Sequence, residues 1–411
     1  MTQSVTLEWR DNVAIMWIDN PPVNALSHHV RSGIVEQLKE ATANGAQAVV
    51  VAGRGGTFIA GADIREFGKP LQEPGLPEVT DILEASDAPL VAVVEGNTLG
   101  GGLETALGCH YRVADAKAKV GLPEVNLGLL PGARGTQRGP RAINNVIEAV
   151  TLVASGRPIS ASRAAEIGLV DKVSDGNAVE DAVSMATEII GADLSDRRLS
   201  QVSLSWTDET AAQFEAALAQ VAKQARGAIA PLKAAECVRK SYTDTWEDGI
   251  KFERDSFVEL MASDQSSALR HIFFAERAAA KPPKDVNGTP RDVKKVGVIG
   301  AGTMGGGISM TYVEAGIPVV LLEMSDEALD RGLATIEKNW MRGVKSGRVT
   351  EEEVKKRMAL YQRTTSYDDF KDCDLIIEAV FETMAVKKEV FMKLDTPPAH
   401  TSELWMLKVA A

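Results

Sequence analysis

Three short apolar runs fall in the first hundred residues: Val13–Ile18 (VAIMWI), Ala48–Ala52 (AVVVA) and Leu90–Val94 (LVAVV). Each is bounded by Asn, Gly, Pro or Asp. Runs of this length without polar alternation read as buried strands. Helical stretches such as Val30–Thr42 lie between them. Strand and helix in alternation restrict the region to an α/β layer architecture.

The chain has 411 residues, enough for two or three domains. The α/β pattern occupies residues 1–195. Residues 196–285 carry helical spacing only, with Phe214, Leu218 and Val221 at i, i+4 and i+7. Such a stripe is ordinarily a packing surface. The stretch Lys281–Pro290 (KPPKDVNGTP) holds three prolines, one glycine and two lysines and reads as a domain boundary. Residues 292–395 then return to a strand–turn–helix–strand pattern, and residues 396–411 show no period.

Asp and Glu outnumber Lys and Arg by 57 to 45, a formal net charge of −12. That balance disfavours nucleic acid as a partner, because phosphate neutralisation needs a basic surface. No apolar run reaches the ~20 residues that span a bilayer, and the first residues lack the pattern of a secretory signal. The three cysteines, Cys109, Cys237 and Cys373, are too scattered for a disulfide framework or a CxxC motif. A reducing compartment is expected, taken as the cytoplasm; the C-terminal Val-Ala-Ala is not a peroxisomal address. The histidines keep no metal-ligand spacing, so no metal is expected.

Three segments of the first region carry chemistry-bearing residues. Phe58–Asp63 (FIAGAD) is a turn of small residues after a strand, where a ligand can approach the main chain. Asn97–Glu104 (NTLGGGLE) feeds a triple glycine into a helix start, which offers unpaired N–H groups to an incipient anion. Gly121–Glu124 (GLPE) places a second glutamate 20 residues after Glu104, ahead of Gly128–Arg138 (GLLPGARGTQR). Taken singly, these read as a capped turn, a carboxylate complementing a helix dipole and an exposed glutamate.

In this order and spacing the segments resemble the crotonase (enoyl-CoA hydratase/isomerase) superfamily, with Asn20–Leu26 and Ser155–Ile159 also similar. The resemblance implies a β-β-α spiral fold and an acyl-CoA thioester substrate. It implies an oxyanion hole from the N–H groups of Ala60 and Gly101, with Ala62, Asp63 and Gly132 beside the substrate. It gives Glu124 as the acid that protonates C2 and Glu104 as the base that activates water. Retention of both glutamates favours a hydratase; Δ3-Δ2-enoyl-CoA isomerisation is the alternative, since one carboxyl can move a proton between C4 and C2. Family members occur as trimers, and multifunctional relatives as monomers.

Val296–Gly305 (VGVIGAGTMG) runs a strand into GxGxxG with a helical stretch and a second strand, Pro318–Glu323, behind it. Gly300 suits the tight turn, Gly302 the approach of a pyrophosphate and Gly305 close helix–strand packing. Glu323, 18 residues after Gly305, suits a ribose 2′-OH and favours NAD over NADP. The region resembles the NAD-binding domain of 3-hydroxyacyl-CoA dehydrogenases, and Ile377–Glu382 with Val386–Glu389 is similar to its next segment. By position Glu382 and Lys387 are expected near the cofactor. The whole resembles the multifunctional enzymes of fatty-acid β-oxidation of peroxisomal type, and Phe273–Arg277 is similar to their interdomain connection.

The likeness stops after Asp395, where TPPAHTSELWMLKVAA replaces the family's continuation. The dehydrogenase histidine–glutamate pair has no counterpart, and His400 stands alone. An incomplete Rossmann domain is therefore expected, with NAD binding weak or lost and NAD-linked oxidation absent. The competing readings are a working bifunctional hydratase/dehydrogenase and a non-catalytic remnant that binds CoA or NAD.

Overall fold

The computed structural model describes residues 4–66, 69–70, 72–281, 288–289, 292–345 and 347–395. The chain divides into two compact units, Met1–Pro282 and Pro283–Ala411.

The first unit contains strands β1 (Val5–Arg10), β2 (Val13–Ile18), β3 (Ala48–Gly53), β4 (Leu90–Val94), β5 (Asn97–Leu99), β6 (Tyr111–Asp115), β7 (Lys119–Gly121), β8 (Ile159–Ser160) and β9 (Lys172–Ser174). Six form one sheet in the order β1-β2-β3-β4-β6-β9. The β1–β2 hairpin is antiparallel and every other pair is parallel. A second sheet has the order β5-β7-β8. Strands β3 and β4 are buried along their whole length, which is why they read as unbroken apolar runs.

The two faces of the large sheet feed two cores. Val13, Ile15, Val50 and Val91 pack under the helix Ala178–Glu188, which presents Ala182 and Ala186 at a spacing of four. Ala14, Met16, Ile18, Val49 and Val51 face the larger core, shared with the helix His28–Ala43. Alternate residues of one strand thus serve opposite layers.

The helices Asp208–Ala225, Ala230–Thr243, Trp246–Met261 and Asp264–Ala279 follow. Phe214, Ala234, Val238 and Leu260 lie in the same apolar cluster as Leu103 and Leu107. The helical stretch is therefore built into the first unit's core. Most of the Pro-rich stretch lies outside the described residues.

The second unit has strands β10 (Val296–Ile299), β11 (Val319–Leu322), β12 (Tyr361–Thr364) and β13 (Leu375–Glu378), all parallel, in the order β12-β11-β10-β13. The chain leaves β10 to one side for β11 and returns to its other side as β13, a topological switch point at the carboxyl end of β10. Strand β12 has no sequence signature because it is an edge strand with Gln362 and Arg363 exposed. The tail from residue 396, including His400, lies outside the described residues.

Candidate active site

Strand β5 ends at Leu99; Gly100, whose φ of +51° lies in the left-handed region, follows it, and the helix Gly101–Gly108 starts immediately after. A methyl on Gly100 would sit 2.6 Å from Glu124 Oε1, and one on Gly102 would collide with the Ile59 carbonyl. These two glycines let the helix start lie against the FIAGAD turn and the Glu124 loop. The whole helix is buried, so Glu104 on its first turn points into protein rather than water.

Gly101 is the first helical residue and its N–H has no intrahelical partner. A methyl built on it would lie 3.1 Å from Ala62 N. Neither N–H meets a protein acceptor among the described residues. Ala60, expected to pair with Gly101, is differently engaged: its N–H donates to the Val23 carbonyl at 3.1 Å. Leu26 N donates to Gly61 O nearby, so the Val23–Leu26 segment runs along this turn and takes up the Ala60 donor. Ala62 is the amide left beside Gly101.

A cavity of about 780 Å³ is lined by Ala62, Gly101, Glu104, Glu124, Gly132 and Phe257, among others. Asp63 also lines it, yet both of its carboxylate oxygens accept from the Arg65 side chain and Oδ1 also accepts from Arg65 N at 3.0 Å. That ion pair holds Asp63 below the usual carboxylate range.

Glu104 is buried, and its Oε1 accepts from Ala133 N at 2.7 Å and Gly135 N at 2.9 Å. Burial, then the charges of Glu124 and Glu253, hold its carboxyl far above the ordinary range, with the two amides opposing. Glu124 sits on a short 3-10 turn, Pro123–Leu127, and its Oε2 is buried without a hydrogen-bond partner. Burial pushes it up to about 7, the Glu253 charge adding to the rise. Two carboxyls of raised proton affinity thus face the same cavity as two unspent amides.

A third carboxylate, missed in the sequence, stands behind them. Glu253, on the helix Trp246–Met261, is fully buried and accepts from Arg134 N (3.0 Å), Thr136 N (3.2 Å) and Thr136 Oγ1 (2.5 Å). A charged residue in mid-helix reads as solvated, and its partners are 117 or more positions away, so no local pattern exposes it.

In the second unit the nucleotide turn has the expected form. Gly300 adopts φ +100° and a methyl there would lie 2.6 Å from the Ala379 carbonyl. Gly302 caps the helix Thr303–Glu314, with no atom within 4 Å of where its Cβ would be. Glu323 Oε1 accepts from Ala301 N at 2.8 Å, which sets its carboxylate beside the turn. These residues fit a dinucleotide: open backbone at a helix N-terminus and a carboxylate near the ribose position. Glu382 and Lys387 are drawn together, Lys387 Nζ lying 2.8 Å from Glu382 and 3.2 Å from the buried Glu378. No group of three or more His, Cys, Asp or Glu side chains in metal-binding proximity occurs among the described residues.

Residues 8–202 match the enoyl-CoA hydratase/isomerase family and residues 295–401 match the 3-hydroxyacyl-CoA dehydrogenase NAD-binding domain. The chain therefore carries an enoyl-CoA hydratase/isomerase domain. It joins that domain to an NAD-binding one. It is 42% identical over 390 residues to the peroxisomal bifunctional enzyme of Danio rerio, covering 93% of this chain and 53% of that protein. It is 39% identical over 395 residues to the Homo sapiens peroxisomal bifunctional enzyme, covering 93% of this chain and 54% of that one. The peroxisomal fatty acid beta-oxidation multifunctional protein AIM1 of Arabidopsis thaliana is 36% identical over 411 residues, covering 95% and 56%. The chain thus spans about half the length of the curated relatives it matches.

These relatives overturn the expected cytoplasmic compartment, since all three are named peroxisomal. A lack of disulfide pattern marks a reducing milieu without distinguishing among such compartments.

Proposed function

We propose that the hydratase/isomerase unit adds water across the double bond of trans-2-enoyl-CoA thioesters, giving 3-hydroxyacyl-CoA. The observation that carries this reading is the single cavity lined by Glu104, Glu124 and the amides of Ala62 and Gly101. The thioester oxygen accepts from both amides, which stabilise the enolate charge as it grows. One such preorganised donor contributes roughly 3 kcal/mol. Water attacks C3 and gives a proton to Glu104, whose carboxylate is oriented by Ala133 and Gly135. Glu124, whose carboxyl burial pushes up to about 7, delivers the pair's proton to C2. The pair behaves as one coupled unit that holds a single exchangeable proton.

For the second unit we propose NAD, with Gly302, the start of the helix Thr303–Glu314 and Glu323 as its holders; when bound it supplies hydride acceptance. Peroxisomal fatty-acid β-oxidation is the proposed setting, supported by the relatives' names.

The test is the absorbance of the conjugated enoyl thioester of crotonyl-CoA, followed with wild type and with Glu124→Gln. A folded wild type that leaves the absorbance unchanged would end the hydratase reading. Glu104→Gln separates the isomerase reading: loss of hydration with retained Δ3-Δ2 isomerisation assigns separate roles to the two carboxyls.

A further inference from the structure

We propose that Glu253, on a helix outside the family-matched residues 8–202, is a positioning residue that sets Glu104 by clamping the loop between them. The proposal rests on the hydratase reading and extends it to a residue 149 positions from the base.

The stretch Ala133–Thr136, which runs into the start of the helix Gly135–Ile143, offers four consecutive N–H groups. Those of Ala133 and Gly135 go to Glu104 Oε1, and those of Arg134 and Thr136 go to Glu253. One strip of backbone is therefore held from both sides by carboxylates at alternating positions. Arg134, between the two Glu104 donors, has φ +77° without being glycine. Such a residue persists where its surroundings over-determine it. Glu253 supplies that hold through three donors, two of them main-chain.

The grip is a face of the helix, not one side chain. Gly249, Glu253 and Phe257 recur at a spacing of four. Gly249 lets the helix approach the Gln137 side-chain oxygen. A methyl on Gly132 would lie 2.5 Å from the Phe257 ring. The stripe thus covers residues 132–137 from end to end. A packing role alone would not call for a carboxylate here, since burying a charge is costly unless it is fully hydrogen-bonded. Glu253 is fully buried, and its nearest guanidinium nitrogen, Arg134 Nη1, stands 4.0 Å away.

The charge acts as well as the geometry. The groups that face Glu253 are the Arg134 guanidinium, the Thr136 hydroxyl, the Cys237 thiol, Glu104 and Glu124. Burial raises Glu253's own proton affinity, opposed by its hydrogen bonds from Thr136 and Arg134; when ionised, it raises the proton affinity of Glu104 and Glu124.

The experiment measures kcat, KM and the pH profile of crotonyl-CoA hydration for full-length wild type, Glu253→Gln and Glu253→Asp, with thermal melting of each. Glu253→Gln keeps the volume and removes the charge. We expect kcat to fall about tenfold or more, KM to stay within about threefold, and the alkaline limb of kcat to move to lower pH. Glu253→Asp keeps the charge and withdraws the reach; kcat falls with the limb unmoved. If Glu253→Gln fails to fold, Glu253→Asp carries the test through its kcat against KM. A folded variant with unchanged kcat and limb overturns the proposal alone, as does a loss of kcat and KM that simply tracks melting. A wild type inactive on crotonyl-CoA overturns the hydratase reading and this proposal with it.

Discussion

The nucleotide turn of the second unit and the Glu104–Glu124 cavity of the first are both built on glycines at a helix start, yet they differ in how far apart their parts lie in sequence. Gly300, Gly302, Gly305 and Glu323 sit within one strand–helix–strand stretch, so the site closes locally. The cavity draws Ala62, Gly101, Glu124, residues 132–136 and the helix 246–261 from across about half of the chain. The first arrangement leaves its carboxylate half-exposed for a ligand to meet. The second buries its carboxylates and ties two of them to backbone amides before any substrate arrives. Preorganisation of that kind is what stabilising a transition-state charge requires, whereas cofactor binding needs only an open cradle.

The largest effect should come from Glu124. Glu124→Gln removes the acid and should lower kcat for crotonyl-CoA by about 10³-fold, within the range for general acid catalysis. The fold should not suffer, because Glu124 Oε2 has no partner to lose. Stability should in fact improve in alkali. The folded carboxyl lies near 7 against an ordinary 4.5, so the stability tied to its proton is complete below about 4.5 and is lost as pH rises through about 7. The variant lacks that loss, and its melting temperature should exceed the wild type's at pH 8 but not at pH 4.5. A variant that melts earlier at both values would give Glu124 a structural role and weaken the contrast between the two sites.

What the sequence made legible follows the same division. The nucleotide turn could be read residue by residue because its contacts are local. The two glutamates proposed as catalytic could be singled out through motif spacing, but their surroundings could not. The donor beside Gly101 was expected at Ala60 and falls at Ala62, because Ala60 N is taken by Val23, a pairing between segments 37 residues apart. The turn at Gly61, with φ +140°, separates the directions of the two N–H groups. Glu253 was invisible for a related reason: on an amphipathic helix a glutamate looks solvated until the loop it faces is known. The helices after residue 207 likewise read as a separate segment, since periodicity reports which face is apolar and not which core it joins.

The donor pair gives the next largest effect. In Gly101→Ala the new methyl would sit 2.7 Å from Leu76 Cδ2 and 3.1 Å from Ala62 N, crowding the place proposed for the thioester oxygen. Loss of one donor is worth about 100-fold in kcat/KM. Hydration kinetics with crotonyl-CoA, alongside a melting curve, check this; unchanged kcat/KM would remove Gly101 from the oxyanion site. The counterpart in the second unit is Gly302→Val. The backbone there (φ −71°, ψ −166°) suits valine and nothing lies within 4 Å, so the fold should tolerate the change. The side chain would occupy the pyrophosphate approach, and NADH affinity, read by fluorescence titration, should fall by about tenfold or more. Equal affinity would show that the phosphates take another path.

The smallest effect tests whether the nucleotide site is as loosely tied as the comparison holds. Glu323 accepts from Ala301 N with Oε1 and from Met324 N with Oε2. Glu323→Gln preserves one oxygen for Ala301 while removing the charge offered to a ribose diol. A charge-assisted hydrogen bond is about twice as strong as a neutral one, so NAD affinity should fall only about fivefold. The same change withdraws repulsion from a 2′-phosphate, so affinity for NADP should rise and the ratio of the two should shift by more than either alone. Melting should stay put, since the carboxylate is not buried. Competitive titration of NAD against NADP reads the ratio directly. An unchanged ratio would mean that Glu323 serves the Ala301 turn, making this site prearranged in the manner of the loop at Glu104.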